Sequence, residues 1–224
     1  MIDDREPRSG PVNMALDETL LLGSAGSPPL LRFYRWTVPT VSFGYFEPVG
    51  DARRLAGGRE IVRRMTGGGL VEHGEDLTYT LVVPRPEPLV NLRSADAYRL
   101  IHGAVALALA RVGVAVRSHL DPGEPQPALD GNACFQRPVP YDLVADGGKI
   151  AGGAQRRTRA GLLHQGSILL AGAVDAGWTE AFRAVLPTVL ARAHEVHALT
   201  FAELAGADAL AAARYASTAW TDRN

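Results

Sequence analysis

The 224-residue chain is short of lysine, cysteine and long apolar runs, and each shortage excludes something. A single cysteine, Cys134, rules out an internal disulfide and a thiolate metal cluster. No apolar run reaches the roughly 20 residues that a membrane-spanning helix needs. The opening "MIDDREPRSG" is charged and polar, unlike a signal peptide, so a cytoplasmic location is the default expectation. The net charge is −1, so no global field steers the chain toward nucleic acid or membrane, and neither is expected as a partner. Of 23 basic residues only Lys149 is a lysine. A GC-rich genome accounts for arginine elsewhere. Exposed lysines are the easiest to exchange, so the one that survives, inside "GGKIAGGAQRRT" (147–158), points to a task for an ammonium.

What is present is an ordinary globular balance, 46% hydrophobic and 21% charged. "NMALDETLLLG" (13–23) reads as an amphipathic helix capped by Asn13 and ended by Gly23. "LLRFYRW" (30–36) and "TVSFGYF" (40–46) read as strands joined by a short loop. A short helix over 51–57 follows, then strands over 60–65, 69–73 and 77–83. In the last of these Leu77, Tyr79, Leu81 and Val83 share one face, with threonines on the other. The longest helical pattern is 94–113, with Ser94 as cap and Gly113 as stop, its alanine-rich half suited to close packing on a sheet. A short strand is expected over 114–118. A proline-rich loop over 121–140 precedes strands at 141–146, 149–157 and 161–171, and the tail from 178 is mostly helical. The expectation is one α+β (α/β) domain over 1–224, a mixed and largely antiparallel sheet with packed helices.

Four stretches could carry chemistry. In "RRMTGGGLVEH" (63–73) three glycines let backbone N–H groups converge on an anion or a carbonyl, and two arginines suit a carboxylate or phosphate. The alternative is a glycine-rich hairpin with two solvated arginines. It is not a P-loop, and His73 adds only a weak signal. Lys149 offers a compact point charge for a carbonyl or thioester oxygen, or for lowering a thiol pKa; the alternative is a turn lysine on a hairpin. Cys134 is a buried structural cysteine or, if it lies near Lys149, a nucleophile. "LLHQGSILL" (162–170) places His164, Gln165, Gly166 and Ser167 in the middle of an apolar strand, where they line a pocket or belong to an ordinary strand with a bulge at Gly166.

"NMALDETLL", "LRFYRWTVPTVSFGYF", "RRMTGGG", "YDL" before "GGKIAGGAQRRT", and "LLHQGSILL", in that order, resemble the lipoate-protein ligase and octanoyltransferase superfamily, with biotin protein ligases more distant. The resemblance runs from about Asn13 to Trp220. "ACFQRPVPYDL" and "RYASTAW" resemble the cysteine-dependent octanoyltransferases of Gram-positive bacteria. It implies a single α/β domain with an acyl-binding tunnel, in a cytoplasmic monomer that transfers an octanoyl or lipoyl group from acyl carrier protein. The acceptor it implies is a lysine of a lipoyl domain, the glycine-cleavage H protein or a dehydrogenase E2 subunit. It assigns catalysis to Cys134 and Lys149, with no cofactor and no metal site. Substrate is then expected against Arg64, Thr66, Gly67, Gly68, Gly69 and His73, against Ala151 and Gly152, and against His164, Gly166 and Ser167. An ATP- and magnesium-dependent lipoate ligase is the first alternative, and a non-catalytic lipoyl-binding subunit the second.

Overall fold

The computed structural model describes residues 1–119, 138–145, 148–169, 177–185 and 198–223. Cys134 and most of the proline-rich stretch lie outside the described residues. Two sheets form where one was expected. The large sheet has the order β1 (Ile2–Arg8), β2 (Leu30–Trp36), β6 (Asp76–Pro84), β10 (Gly161–Leu169), β9 (Gly148–Arg157), β8 (Leu143–Ala145), β7 (Arg117–Ser118). Its β1–β2 pair is parallel and the other pairs are antiparallel. The small sheet sets β3 (Thr40–Phe43) between β4 (Glu60–Arg63), parallel, and β5 (Leu70–His73), antiparallel. The runs at 30–36 and 40–43 are therefore consecutive strands of different sheets. The charged opening of the chain, given no element in the sequence reading, is the edge strand β1.

Alternation along the strands divides the interior in two. Leu77, Tyr79, Leu81 and Val83 of β6, with Leu162 and Ile168 of β10, pack on α3 (Ser94–Arg111) and α4 (Gly177–Val185). Ala104, Val105, Ala108 and Leu109 are buried there, so the alanine-rich half of α3 faces this core. Ser94 is the first residue of that helix and not its cap, which is Arg93, whereas Gly113 follows its end at φ +82°, a conformation that favours glycine. On the opposite face lies α1 (Gly10–Leu22), then α5 (Phe201–Leu210) and a π-helical turn, Ala211–Tyr215.

Two local readings of α1 need correction. It starts at Gly10 with Ser9 as cap, Pro11 holding the first turn, and Asn13 inside the helix, where its amide donates to Arg8 and Arg35 carbonyls. Nor is the helix amphipathic in the simple sense, since Asp17 and Glu18 are buried. Asp17 pairs with Arg32 at 2.9 Å and accepts from Thr80 and Gln165; Glu18 takes Arg214 and Tyr215 from the C-terminal turn. The polar residues that suggested a solvent face fasten α1 to the sheet and to the tail.

Candidate functional site

The glycine-rich stretch turns between β4 and β5, and its two arginines are not solvated. Arg63 is buried and donates to the carbonyls of Tyr45, Glu47, Thr221 and Arg223, which ties the C-terminus down. Arg64 donates to Ser42 Oγ and to the Gly67 and Gly69 carbonyls. No carboxylate pairs with it among the described residues, and burial brings its guanidinium down to about 10. The two arginines therefore differ: Arg63 is committed to backbone carbonyls away from the glycines, while Arg64 braces the loop and lines the pocket beside it. Gly68, at φ +80°, needs glycine, and the backbone of Gly44 comes so close to the Gly68 carbonyl that no Cβ fits there.

That loop closes one side of a pocket of about 120 Å³. Gly68, Gly69, Leu70, Val71 and His73 form one wall, with Arg64 and Ser42 beside them. Lys149, Gly152, Gly153 and Ala154 of β9, with Gln165, Gly166 and Ser167 of β10, form the other. Met14, Tyr34, Trp36 and Thr78 complete it, and Val139 lines it where the described chain resumes. Apolar surface predominates. A more open cleft of about 440 Å³ shares Gly68, Val139, Gly153 and Ala154 with the pocket and adds Gly67, Tyr98 and Gln155.

Of the residues expected against substrate, Arg64, Gly68, Gly69, His73, Gly152, Gly166 and Ser167 line this pocket together with Lys149. Four stand elsewhere. Gly67 lies in the open cleft. Thr66 sits behind the wall, donating to Gln165 Oε1 at 2.7 Å. Ala151 is buried in the core against α3. His164 lies on the opposite face of β10 from Gln165, as a period of two requires. There it meets Tyr79, Gln155 and His102, and burial, with His102 beside it, pulls it well below the ordinary histidine range.

Lys149 is aimed by an irregularity. In β8–β9, Leu143 pairs with Ala151 but Val144 pairs with Lys149, so one step on β8 matches two on β9. This bulge changes the alternation and brings Lys149 to the side of Gly152. Its ammonium lies 2.8 Å from Asp142 Oδ2, a carboxylate with no exposed side-chain surface. Gly152 must be bare, because a Cβ there would coincide with the end of the lysine side chain.

A second polar chain crosses the pocket wall. Asp76 accepts from His73 Nδ1 (2.8 Å), Ser167 (2.6 Å) and Thr78 (2.9 Å), and His73 Nε2 meets Ser42 Oγ at 2.6 Å. Burial pushes the Asp76 carboxyl up, but His73 and the hydroxyls outweigh it and hold it below the usual range. Trp36 stacks on the His73 ring at 4.1 Å. The sequence reading assigns no role to Asp142 or Ser42, whereas Gln165, named in the polar centre of its strand, does line the pocket. Ser42 is visible as a hydroxyl in an aromatic strand, and Asp142 stands inside the motif "YDL", which by itself gives it no role.

The arrangement offers an ammonium, a brace of glycine backbone and a mostly apolar cavity. Residues 9–199 match the family model described as the lipoyl protein ligase A/B catalytic domain. Octanoyltransferase LipM of Oceanobacillus iheyensis is 40% identical over 174 residues, 75% of this chain and 62% of that protein. The chain thus spans less than two-thirds of that relative's length. Octanoyltransferase LipM of Kyrpidia tusciae is 37% identical over 215 residues, 89% of this chain and 77% of the relative. Among solved structures, lipoate-protein ligase A bound with ATP shares the fold at a TM-score of 0.78 and 21% identity, over 98% of this chain and 97% of that one.

Proposed function

Because the chain belongs to the lipoyl protein ligase A/B catalytic-domain family, we propose that it transfers an octanoyl group from a thioester donor to a lysine of a lipoyl-domain protein. One observation carries the reading. The only lysine of the chain stands in the wall of a mostly apolar pocket, held by a buried carboxylate and flanked by bare backbone. That relatives at 40% and 37% identity bear the name octanoyltransferase supports it.

In the first step the Cys134 thiolate attacks the carbonyl carbon of an octanoyl thioester carried by acyl carrier protein. The bond to the carrier sulfur breaks, and the carrier leaves as a thiol once protonated. In the second step the acceptor amine attacks the acyl-cysteine, the amide forms, the Cys134 thiolate is released and the amine proton goes to solvent. A free thiol with a pKa near 8.5 is mostly protonated at neutral pH. The Lys149 ammonium favours both the thiolate and the tetrahedral oxyanions, each unit of thiol pKa depression corresponding to about 1.4 kcal/mol. Cys134 precedes the pocket-lining Val139 by five residues. Burying seven methylene or methyl groups of the chain contributes roughly 5–6 kcal/mol. Backbone amides near Lys149 and Gly67–Gly69 are the candidate oxyanion donors. No nucleotide or metal enters the scheme. The acceptor is a glycine-cleavage H protein or an E2 lipoyl domain, and the enzyme acts as a cytoplasmic monomer.

The test is intact-mass spectrometry after incubation with octanoyl–acyl carrier protein in the absence of ATP. One octanoyl adduct, absent in Cys134→Ala, is expected. No adduct together with ATP-dependent lipoate transfer would replace this reading with that of a ligase. Binding without transfer under either condition would replace it with that of a lipoyl-binding subunit. Lys149→Arg keeps the charge but not the compact shape, and is expected to lower transfer by about 100-fold.

A further inference from the structure

Asp142 is built into the molecule more firmly than a surface counterion would be. Its Oδ2 accepts from the Val139 N–H (2.7 Å) and pairs with Lys149 (2.8 Å). Its Oδ1 accepts from the Tyr98 hydroxyl on α3, and that hydroxyl in turn accepts from the Gly153 N–H at 2.8 Å. One carboxylate therefore joins α3, the wall strand β9 and the backbone at Val139.

The backbone that presents it is strained. Tyr141 has φ +73°, a left-handed conformation that non-glycine residues rarely adopt, and it is the only non-glycine at positive φ among the described residues. It is held there from both sides. The Tyr141 N–H donates to the His119 carbonyl at 2.6 Å, and the Asp142 carbonyl accepts from the His119 N–H at 2.8 Å. His102 Nδ1 donates to the Tyr141 carbonyl at 2.9 Å, and its ring packs on Tyr98 at 4.0 Å. Such a conformation persists where the surroundings over-determine it, and its effect here is to turn Asp142 inward beneath Lys149.

We infer that Asp142, backed by Tyr98, is a positioning residue of Lys149: it fixes the ammonium in the wall of the pocket and ties it to α3. Its catalytic consequence rests on the octanoyl-transfer reading; the positioning itself does not. A lysine side chain has a flexible four-carbon stem with many rotamers, so its ammonium acts at a defined point only where it is held. Rigid placement of such a group counts heavily, since displacement by about 1 Å can cost a factor of about 100 in rate.

The solitary lysine makes a direct test possible. Lysine-selective 15N labelling of the side chain gives one ammonium signal, whose position and hydrogen-exchange rate report how Lys149 is held. In the wild-type protein that signal is expected to be displaced from free lysine and slow to exchange. In Asp142→Asn, exchange should accelerate about 10- to 100-fold, the scale of one charge-assisted hydrogen bond. In the same variant kcat for octanoyl transfer should fall about 100-fold with KM nearly unchanged, and Asp142→Glu should restore part of it. A lysine signal in Asp142→Asn that keeps its wild-type position and exchange rate overturns the inference. If the wild-type protein transfers nothing but its ordered lysine signal is lost in Asp142→Asn, the transfer reading fails and the positioning inference stands. Should Asp142→Asn not fold, Tyr98→Phe decides: exchange faster by about 10-fold supports the inference, and exchange at the wild-type rate overturns it.

Discussion

At the scale of single residues, glycines of similar appearance do different work. A Cβ on Gly152 meets only the flexible end of Lys149 and, farther off, Asp142. Gly152→Ala should therefore fold with a melting temperature near that of the parent and lose about 100-fold in transfer rate, because the ammonium is pushed aside. A Cβ on Gly166 runs into the ring of the buried Tyr79, and one on Gly44 into the carbonyl of Gly68. Both substitutions should lower stability before they touch chemistry, by roughly 1–3 kcal/mol for Gly166→Ala, the range for over-packing a full interior. Urea unfolding and transfer assays on the two alanine variants separate these cases; a strongly destabilised Gly152→Ala would contradict the assignment. The two arginines before the glycines make a related point. They read as a binding pair because they are charged, yet Arg63 is consumed by carbonyls of the C-terminus and Arg64 by carbonyls of the loop.

At the scale of elements, the informative features are faces. β10 was legible as a strand, but its polar centre does not act as one surface. Gln165 and Ser167 face the pocket while His164 faces α3, and Gly166 lines the pocket through its backbone. β9 breaks the same rule by its bulge, which no run of residues announces. For α1, the spacing gave the helix and missed the purpose of its acids. Asp17 is surrounded by Arg32, Thr80 and Gln165, and burial, with Asp17 nearby, raises the Tyr34 hydroxyl well above its ordinary value. Asp17→Asn should cost about 3 kcal/mol in urea unfolding, at the lower end for removing one partner of a buried pair, because Asp4 still pairs with Arg32 at 2.8 Å. A loss below about 1 kcal/mol would show the network to be dispensable.

At the scale of the whole molecule, the seven-stranded sheet separates a mostly apolar pocket, with a few polar groups in its wall, from a core that holds two buried histidines. Burial brings His102 from 6.5 down to about 3, against the Tyr141 carbonyl, and pulls His164 down as well. Between those limits the unfolded chain binds more protons than the folded one. The stability due to neutral histidines is therefore complete above about pH 6.5 and falls as the pH drops toward the folded values. The expected slope is about 1.4 kcal/mol per pH unit for each histidine once the pH is well below 6.5. Urea midpoints measured between about pH 7 and pH 5 should show it, and His102→Asn, which keeps a donor for Tyr141, should remove about half. An unchanged slope in that variant would place the acid sensitivity elsewhere.

The sequence alone determined the class of fold, most of the strands and helices, and the family. Those follow from local periodicity, from turn chemistry and from five motifs in order, all of which are written along the chain. It also singled out Lys149, because composition made one ammonium conspicuous. Tertiary structure decided what Lys149 is near. Asp142 is seven residues away in sequence and Tyr98 is fifty-one, and their meeting depends on a strained turn at Tyr141 and a bulge in β9. The division of 30–36 and 40–43 between two sheets, and the turning of His164 away from the pocket, were decided the same way. Periodicity tells which residues share a face; only packing tells which face becomes the pocket.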